Sequence, residues 1–592
     1  MLCVIFFSLA VVNLGYSQYP STTTQISSGQ SFYVDLGAQT NVKAVVILLN
    51  QGAVNATISV GSPGNWTIAN SVSWPYSGSS FSEDYNKYVQ YSGTYQGQYY
   101  SDQNYIPIDN TTQYLKVDFG PVGGYETSLS EIGVIDQNSQ VVDIKSITNA
   151  YPDNPNTDLK NLVDEQSSIQ FPTDYMSNTY FDEIYFVRTA QQYINWQEHV
   201  LPYEWTHPPL GKLIQAAGIL IFGFSPFGWR IMGVIFATLM IPLLYLLGKK
   251  MFGTWIGGFT AAFLLTFDFM HFTMGRMGTA DTYLVFFEIA SQLFFFIYLK
   301  NVLDKGWKTS VVPLFLSFVF FSLGLSSKFS IALFGFAAEL VILLVIRLSQ
   351  VKNLKTNLSG KFYAFLDRPY SWIVAFILIS IGIYFATYIP DMMIGRSFID
   401  VINLQYAMYH YHATLTATHP FASPWYSWPL MFDPFNGNIH TPLWLQVTYL
   451  PNGTESTITL LGNPALWWFG FAALIALTVV YVPKIFRRHF NFKANLPVIF
   501  IITFFFFQWL PYIVITRVVF IYHFYSDVPF LCLGSAFVIN KYWSSKWVKI
   551  AAIAYFALNI AMFILFYPII SGVPTTRSFI DSLDWFKGWI LG

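Results

Sequence analysis

Two patterns of hydrophobic and polar positions divide the chain. Between about 20 and 170, apolar and polar residues alternate in short runs: SFYVDLG (31–37), YLKVDFG (114–120), SEIGVID (130–136) and VVDIKSI (141–147). A period of two sends successive side chains to opposite faces, so these runs predict antiparallel strands of a β-sandwich. From 229 onward the pattern changes to uncharged apolar runs close to the ~20 residues that a helix needs to cross a bilayer. They predict spans at roughly 229–247, 254–272, 281–299, 311–327, 329–347, 371–389, 465–483, 496–515, 519–539 and 548–570. The first residues, MLCVIFFSLAVVNLGYSQ, are apolar without the positive n-region of a signal peptide, and predict a first transmembrane helix over 1–18 in preference to a cleaved leader. The fold class is then a polytopic α-helical membrane protein of about eleven transmembrane helices plus an extracytoplasmic β-sandwich.

Composition supports that class and removes others. The 592 residues are 54% hydrophobic, 19% aromatic and 11% charged, with a mean hydropathy of +0.43, which excludes an ordinary soluble domain. Lys and Arg number 31 against 32 Asp and Glu, so no basic surface points to nucleic acid. Cys3 and Cys532, the two cysteines, both lie in apolar stretches, which excludes a disulfide framework and a cysteine metal site.

Local charge sets orientation. Lys249 and Lys250, then Lys300, Lys305 and Lys308, Arg347 through Arg368, Lys484 with Arg487 and Arg488, and Lys541, Lys546 and Lys549 make every second loop basic and therefore cytoplasmic. Acceptor sequons at Asn55, Asn65 and Asn110 put the β-domain outside if used, whereas Asn357 faces the cytoplasm. Residues 208–224 open with two prolines and carry Lys212 and Gln215 on one helical face. Counting them as a span would place the β-domain with the basic loops, so they read as an interfacial helix on the outer leaflet. The divisions are a first helix at 1–18, the sandwich at 20–170, an outer loop with the interfacial helix at 171–228, and a membrane domain at 229–592 with a long outer loop at 390–464.

This topology gathers Asp182 and Glu183, in NTYFDEIYFVRTAQQY (178–193), with Lys212, Arg230, Arg276, Asp281 and Arg517 at the outer face. Singly, an Arg at a helix end snorkels to headgroups. Four cations beside an acidic pair read instead as an anion site. One reaction wants a carboxylate, cations and a membrane together: transfer of a sugar from a polyprenyl phosphate to a hydroxyl. A base takes the acceptor's proton, the phosphate leaves without an acid, steadied by Arg and Lys, and attack opposite the leaving group inverts the anomeric centre.

Five stretches, in order, carry a resemblance: TYFDEIYFVRTA (179–190), THPPLGKLIQAAGILIFGFSPFGWRIMG (206–233), FDFMHFTMGRMGTADTYLVFF (267–287), HATLTATHPFASPWYSWPL (412–430) and RVVFIYHFYSDVPF (517–530). Together they resemble the dolichyl-phosphate-mannose protein mannosyltransferase family, glycosyltransferase family 39, of GT-C fold. The resemblance implies an O-mannosyltransferase with Asp182 as general base and Glu183 as its partner in holding the acceptor or the loop. It implies Arg276 and Arg517 at the lipid phosphate, and Lys212, Arg230, Asp281 and His523 on the donor side or in structural roles. His207, His412, His419, Trp425 and Trp428 become contacts to the acceptor or its loop. The outer loop 390–464 is too short for the three-repeat lectin-like insert of eukaryotic members, which implies a prokaryotic type in a plasma membrane with its site facing outward, rather than an endoplasmic reticulum enzyme. The runs EIGVID and NLVDEQ (161–166) resemble a discoidin-like, galactose-binding-type sandwich.

Other readings stand beside these. Asp164 and Glu165 form a second acidic pair, assigned to the sandwich. His410, His412 and His419 are a minority candidate for a metal, and Mg²⁺ or Mn²⁺ on oxygen ligands near the carboxylates stays open. Trp425, Trp428, Trp467 and Trp468 read mainly as an interfacial belt. The partners are the bilayer, a polyprenyl-phosphate sugar and an acceptor protein or glycan, with dimerisation open. The alternatives are the same donor chemistry with a glycolipid or cell-wall polymer as acceptor, and, from another class, a transporter or receptor with an outer β-domain.

Overall fold

The computed structural model describes residues 1–51, 54–74, 105–120, 127–150, 158–196, 202–352, 354, 356–366, 370–435, 443–450, 452–485, 491–586 and 588–592. Arg368, Arg487 and Arg488, part of the basic pattern, lie outside the described residues.

The alternating region forms eight antiparallel strands: β1 (Thr24–Ile26), β2 (Ser31–Gln51), β3 (Val54–Ser62), β4 (Asn65–Trp74), β5 (Tyr105–Phe119), β6 (Thr127–Asp136), β7 (Val141–Val142) and β8 (Ser146–Asn149). They run β1-β6-β2-β5-β3-β4, with β7 on β6 and β8 on β2. Where the sequence predicts a sandwich, hydrogen bonding joins all eight into one sheet. The reason is β2, whose first residues pair with β5 and β8 and whose last residues pair with β5 and β6, with register shifts between. A strand bent by bulges passes from one layer to the next and leaves no gap in the ladder. The inward set, including Phe32, Val34, Val45, Ile47, Ile58, Ile106, Val117 and Ile132, packs as one core closed by Leu159 and Leu162.

Among the described residues, six helices are long and apolar enough to cross a membrane: Pro226–Phe252, Asp281–Lys305, Ala332–Val351 within the longer Phe329–Lys352, Pro464–Ile485, Phe492–Ile513 and Lys546–Ser571. Shorter apolar helices cover Leu2–Val11, Leu210–Phe222, Val312–Ser327 and Trp372–Ala386. The protein is a polytopic membrane protein, and three of the predicted spans differ from expectation. The predicted helix over 1–18 is helical only over Leu2–Val11, ten residues or ~15 Å. The run 254–272 breaks into Trp255–Thr266 and Phe269–Gly275, bent by 61°, because Asp268 turns its carboxylate to cap the backbone of His271 and to accept from Trp467 Nε1 at 2.7 Å. The run 519–539 is 3₁₀ over Ile521–Asp527 and α-helical only over Val528–Lys541, with Pro529 in its first turn.

The long loop between the helices Tyr370–Ala386 and Pro464–Ile485 carries a helix, Phe398–Thr414, and a hairpin of β9 (Trp444–Tyr449) and β10 (Thr454–Leu460), to which β11 (Thr575–Thr576) pairs on the far side. Close packing seats these parts. A Cβ on Gly233 would lie 2.7 Å from the carbonyl oxygen of Gly275, so only glycine lets the helix Pro226–Phe252 approach the turn before Asp281.

Arg276 in that turn ties the chain together. Its guanidinium donates to the carbonyls of Ala10 (2.9 Å), Val12 (2.7 Å), Asn13 (2.6 Å) and Ser571 (3.0 Å). Arg276→Ala strands four buried or half-buried acceptors, at a cost of about 1–3 kcal/mol for each one left without a partner. A clear drop in melting temperature in detergent is the expected outcome, with partial recovery in Arg276→Lys, whose single ammonium cannot span the set.

Candidate functional site

The acid pair sits where the chain leaves the β-domain for the membrane part. Phe181 takes a left-handed backbone, φ 55°, immediately before Asp182, a conformation that a bulky residue holds only under tertiary constraint. Asp182 then occupies the N-cap of the helix Glu183–Ile194 without using its side chain as a cap. The two neighbouring carboxylates therefore leave the backbone in different directions.

Glu183 goes inward. It is fully buried and bonds Arg230 in a fork, Nε to Oε1 at 2.8 Å and Nη2 to Oε2 at 2.7 Å. The same carboxylate accepts from the backbone of Gly278 (2.8 Å) and Tyr180 (3.2 Å). Arg230 donates its remaining N–H groups to the carbonyls of Leu14, Tyr175 and Asn178, and its guanidinium lies over the Tyr180 ring.

Asp182 stays half-buried, and among the described residues no hydrogen bond is made to its carboxylate. Burial pushes its carboxyl up to about 6; Lys328 and Arg517 pull it down, and Asp281 and Glu204 push it up. These four side chains outline the chemistry around it. Lys328 sits between the helices Val312–Ser327 and Phe329–Lys352, bonded to Asp281 at 2.8 Å and lying over the Tyr522 ring. Arg517 contacts Nδ1 of His412. Burial drives the His412 imidazole down to about 3, so it is neutral; its Nε2 donates to the carbonyl of Thr206 at 3.0 Å and its Nδ1 is left to accept from Arg517. His207 packs edge-on against His412.

Glu204 anchors the loop ahead of the Leu210–Phe222 helix. It is buried and bonds Lys212 Nζ at 2.7 Å, His207 Nδ1 at 3.0 Å and the backbone of Thr206 at 2.9 Å. Against the desolvation of burial, Lys212 and His207 hold it well below the usual carboxylate range. Lys212 also donates to the carbonyls of Glu204 and His207, both at 2.7 Å.

The structure revises several expected roles. Arg276, expected at the lipid phosphate, is spent on backbone carbonyls, and Lys212 and Arg230, expected on the donor side or in structural roles, are paired with Glu204 and Glu183. Glu183, expected to hold the acceptor or the loop, is tied to Arg230 and to the backbone of Tyr180 and Gly278, on the side of the loop. Trp428 is fully buried with its Nε1 on Ser423 Oγ at 3.0 Å, and Trp425 packs on Trp509, so both serve packing. His523 caps its own turn through the backbone of Phe520 and stacks on Tyr522. His419 accepts from the Phe421 backbone and packs on Phe520. His410, His412 and His419 do not converge as ligands. Among the described residues the one trio of carboxylates within reach of a shared ion is Glu131, Asp164 and Glu165, in the β-domain. There Glu165 accepts from Ser21 and Thr22, and Glu131 from Gln166, which gives the second acidic pair a place in holding the domain's start.

Of the expected residues, the structure brings Asp182, Asp281, Arg517, His207 and His412 to one place, and adds Lys328 and Glu204. Lys328 carried a signal, a lone ammonium interrupting an apolar stretch. Glu204 carried a weaker one, three residues before His207.

A family model described as dolichyl-phosphate-mannose-protein mannosyltransferase matches residues 206–366, and one described as the C-terminal four-transmembrane region of protein-O-mannosyltransferase matches 397–589. The β-domain and Asp182 lie ahead of both matches. A polyprenol-phosphate-mannose–protein mannosyltransferase of Corynebacterium glutamicum is 25% identical over 442 residues, 65% of this chain and 81% of that protein. The protein of the same name from Mycobacterium tuberculosis is 24% identical over 442 residues, covering 65% and 80%. The protein O-mannosyltransferase complex of Saccharomyces cerevisiae bound to the sugar donor shares the fold, with a TM-score of 0.55 at 14% identity over 69% of this chain and 89% of that one. The two family models, the curated relatives and the shared fold agree: the chain belongs to the protein O-mannosyltransferase family and is built on the GT-C plan.

Proposed function

We propose that this enzyme moves mannose from a polyprenyl-phosphate donor to Ser or Thr hydroxyls of proteins at the outer membrane face, inverting the anomeric carbon. The observation that carries the reading is Asp182: a half-buried carboxylate with no hydrogen-bond partner among the described residues, held near 6 within the electrostatic reach of Arg517 and Lys328. A base needs a free lone pair and a pKa near working pH, and Asp182 has both. In the proposed step, Asp182 accepts the hydroxyl proton as the acceptor oxygen bonds the anomeric carbon. The bond from that carbon to the phosphate oxygen breaks on the opposite face, and the charge on the departing polyprenyl phosphate is met by Arg517 and Lys328. His412 holds Arg517 by its neutral Nδ1 and the Val518 carbonyl takes its Nε at 3.4 Å, which leaves Nη2 for phosphate. The names of the curated relatives favour a protein acceptor over a glycolipid or polymer, and the outward face of a plasma membrane fits the charge pattern of the loops.

Asp182→Asn should lower turnover of mannosyl-phospho-polyprenol with a Ser/Thr peptide by about 10²- to 10⁴-fold. An acid whose pKa folding raises opposes folding once ionised, so above pH 6 the same variant should keep or raise the melting temperature. Glu183→Gln should do the reverse for stability, because it leaves Arg230 buried without its counter-charge at a cost of about 3–5 kcal/mol. Equal melting behaviour of the two variants would contradict this division of labour.

The base works unprotonated. In wild type, kcat/KM should fall about tenfold per pH unit below about 6 and level off above it. That limb should be missing from the residual activity of Asp182→Asn. Arg517→Ala should raise the KM for donor by about tenfold or more, and titration with the lipid donor checks it.

A further inference from the structure

Between the β-domain and the outer loop lies a cavity of about 610 Å³. It is lined by Val46 and Leu48 of β2, Tyr105 of β5, the connecting segment around Thr173–Tyr180, and Gln446–Tyr449 of β9. Phe181 and Ile184, which bracket the acid pair, also belong to the lining.

Three features of this cavity select its occupant. Among the described residues that line it, the polar groups are hydroxyls, phenols and amides, and Asp174 is the single charge, with no Lys or Arg. A lipid phosphate finds no cation there, and a prenyl chain finds too many polar groups. Second, β9 is an edge strand: among the described residues it pairs with β10 alone, which leaves the backbone groups of its other side without a strand partner. Such an edge recognises another extended chain through main-chain hydrogen bonds, whatever that chain's sequence. Third, the cavity leads to Phe181, whose ring packs against Trp444 of β9 at 4.5 Å and against Tyr522 at 5.2 Å, beside the residue that bears the free carboxylate.

We propose that this cavity docks an extended, uncharged stretch of acceptor polypeptide flanking the modified Ser or Thr, added to β9 as a further strand. The inference rests on the protein-acceptor reading and deepens it. The lining residues of β9 span about 13 Å at ~3.3 Å per residue, room for about four acceptor residues. The residue that receives the sugar lies beyond the cavity, past Phe181. The β-domain thus supplies part of the acceptor site, through Val46, Leu48 and Tyr105.

The test uses the full-length protein in detergent and a neutral Ser-containing peptide of about ten residues, with a benzophenone side chain about four residues from the serine. Cross-links mapped by mass spectrometry should fall on 446–449 or 173–179. Thr448→Trp and Ser177→Trp, which fill the cavity, should abolish those cross-links and raise the peptide KM by about tenfold, with a smaller change in kcat. Cross-links elsewhere, a peptide KM within about twofold of wild type in both variants, or protection of the cavity by a mannan oligosaccharide instead of by peptide would overturn the proposal. The cross-link in wild type decides the matter if a tryptophan variant misfolds. Transfer to peptide with cross-links elsewhere sinks the cavity alone. Cross-links in the cavity without transfer sink the reaction and leave the docking site.

Discussion

The buried pair of Glu183 and Arg230 is the constraint on which the candidate site depends. A guanidinium inside a membrane protein is tolerated only when its charge is opposed and each N–H is met. Here one carboxylate and three carbonyls do both. The carbonyls belong to Leu14, Tyr175 and Asn178, and the carboxylate also takes the backbone of Gly278, so one interaction fixes the end of the first helix, the connection from the β-domain and the turn before Asp281. Because Glu183 is consumed in this way, Asp182 is the acid left over.

The same accounting sorts the other cations. Lys212 neutralises Glu204, and Arg276 replaces water for four carbonyls at two distant points of the chain. Both hold structure at a membrane surface where the backbone has few other donors. Arg517 rests on a neutral histidine, and Lys328 opposes Asp281 while adding to the field at Asp182. A charge map of the sequence shows all of these as one outer cluster. Only the partners distinguish cations that hold the protein from cations free to hold a ligand.

What the sequence made legible follows from the strength of each signal. Long apolar runs such as 226–252 and 546–571 fall within five residues of expectation at each end, because burial in lipid demands an unbroken backbone ladder. The break at Asp268 was hidden, since a single acid in an apolar run reads as tolerated polarity until its cap on His271 is seen. Strands β3 and β4 leave little signal because Ser, Thr, Asn and Gly blur their alternation, and β9 and β10 are short strands within a long loop. Asp182 and Glu183 were found together, but their separate fates turn on Phe181, whose backbone angle leaves no mark in composition. Lys212 and Arg230 looked like ligand residues for the reason that they look alike in any charge map: their counter-charges, Glu204 and Glu183, lie 8 and 47 positions away.

The left-handed residue at Phe181 has an evolutionary consequence. Neighbouring side chains on a helix point about 100° apart, so the backbone phase at that one position determines which acid is buried and which is free. An added residue whose shift is carried into the helix would put Asp182 in the buried place of Glu183 and move Glu183 off Arg230 to the place of Ile184. The tether therefore tolerates substitution far better than change of length. The domain ahead of it could be remodelled or exchanged as a cassette, provided that the splice keeps count.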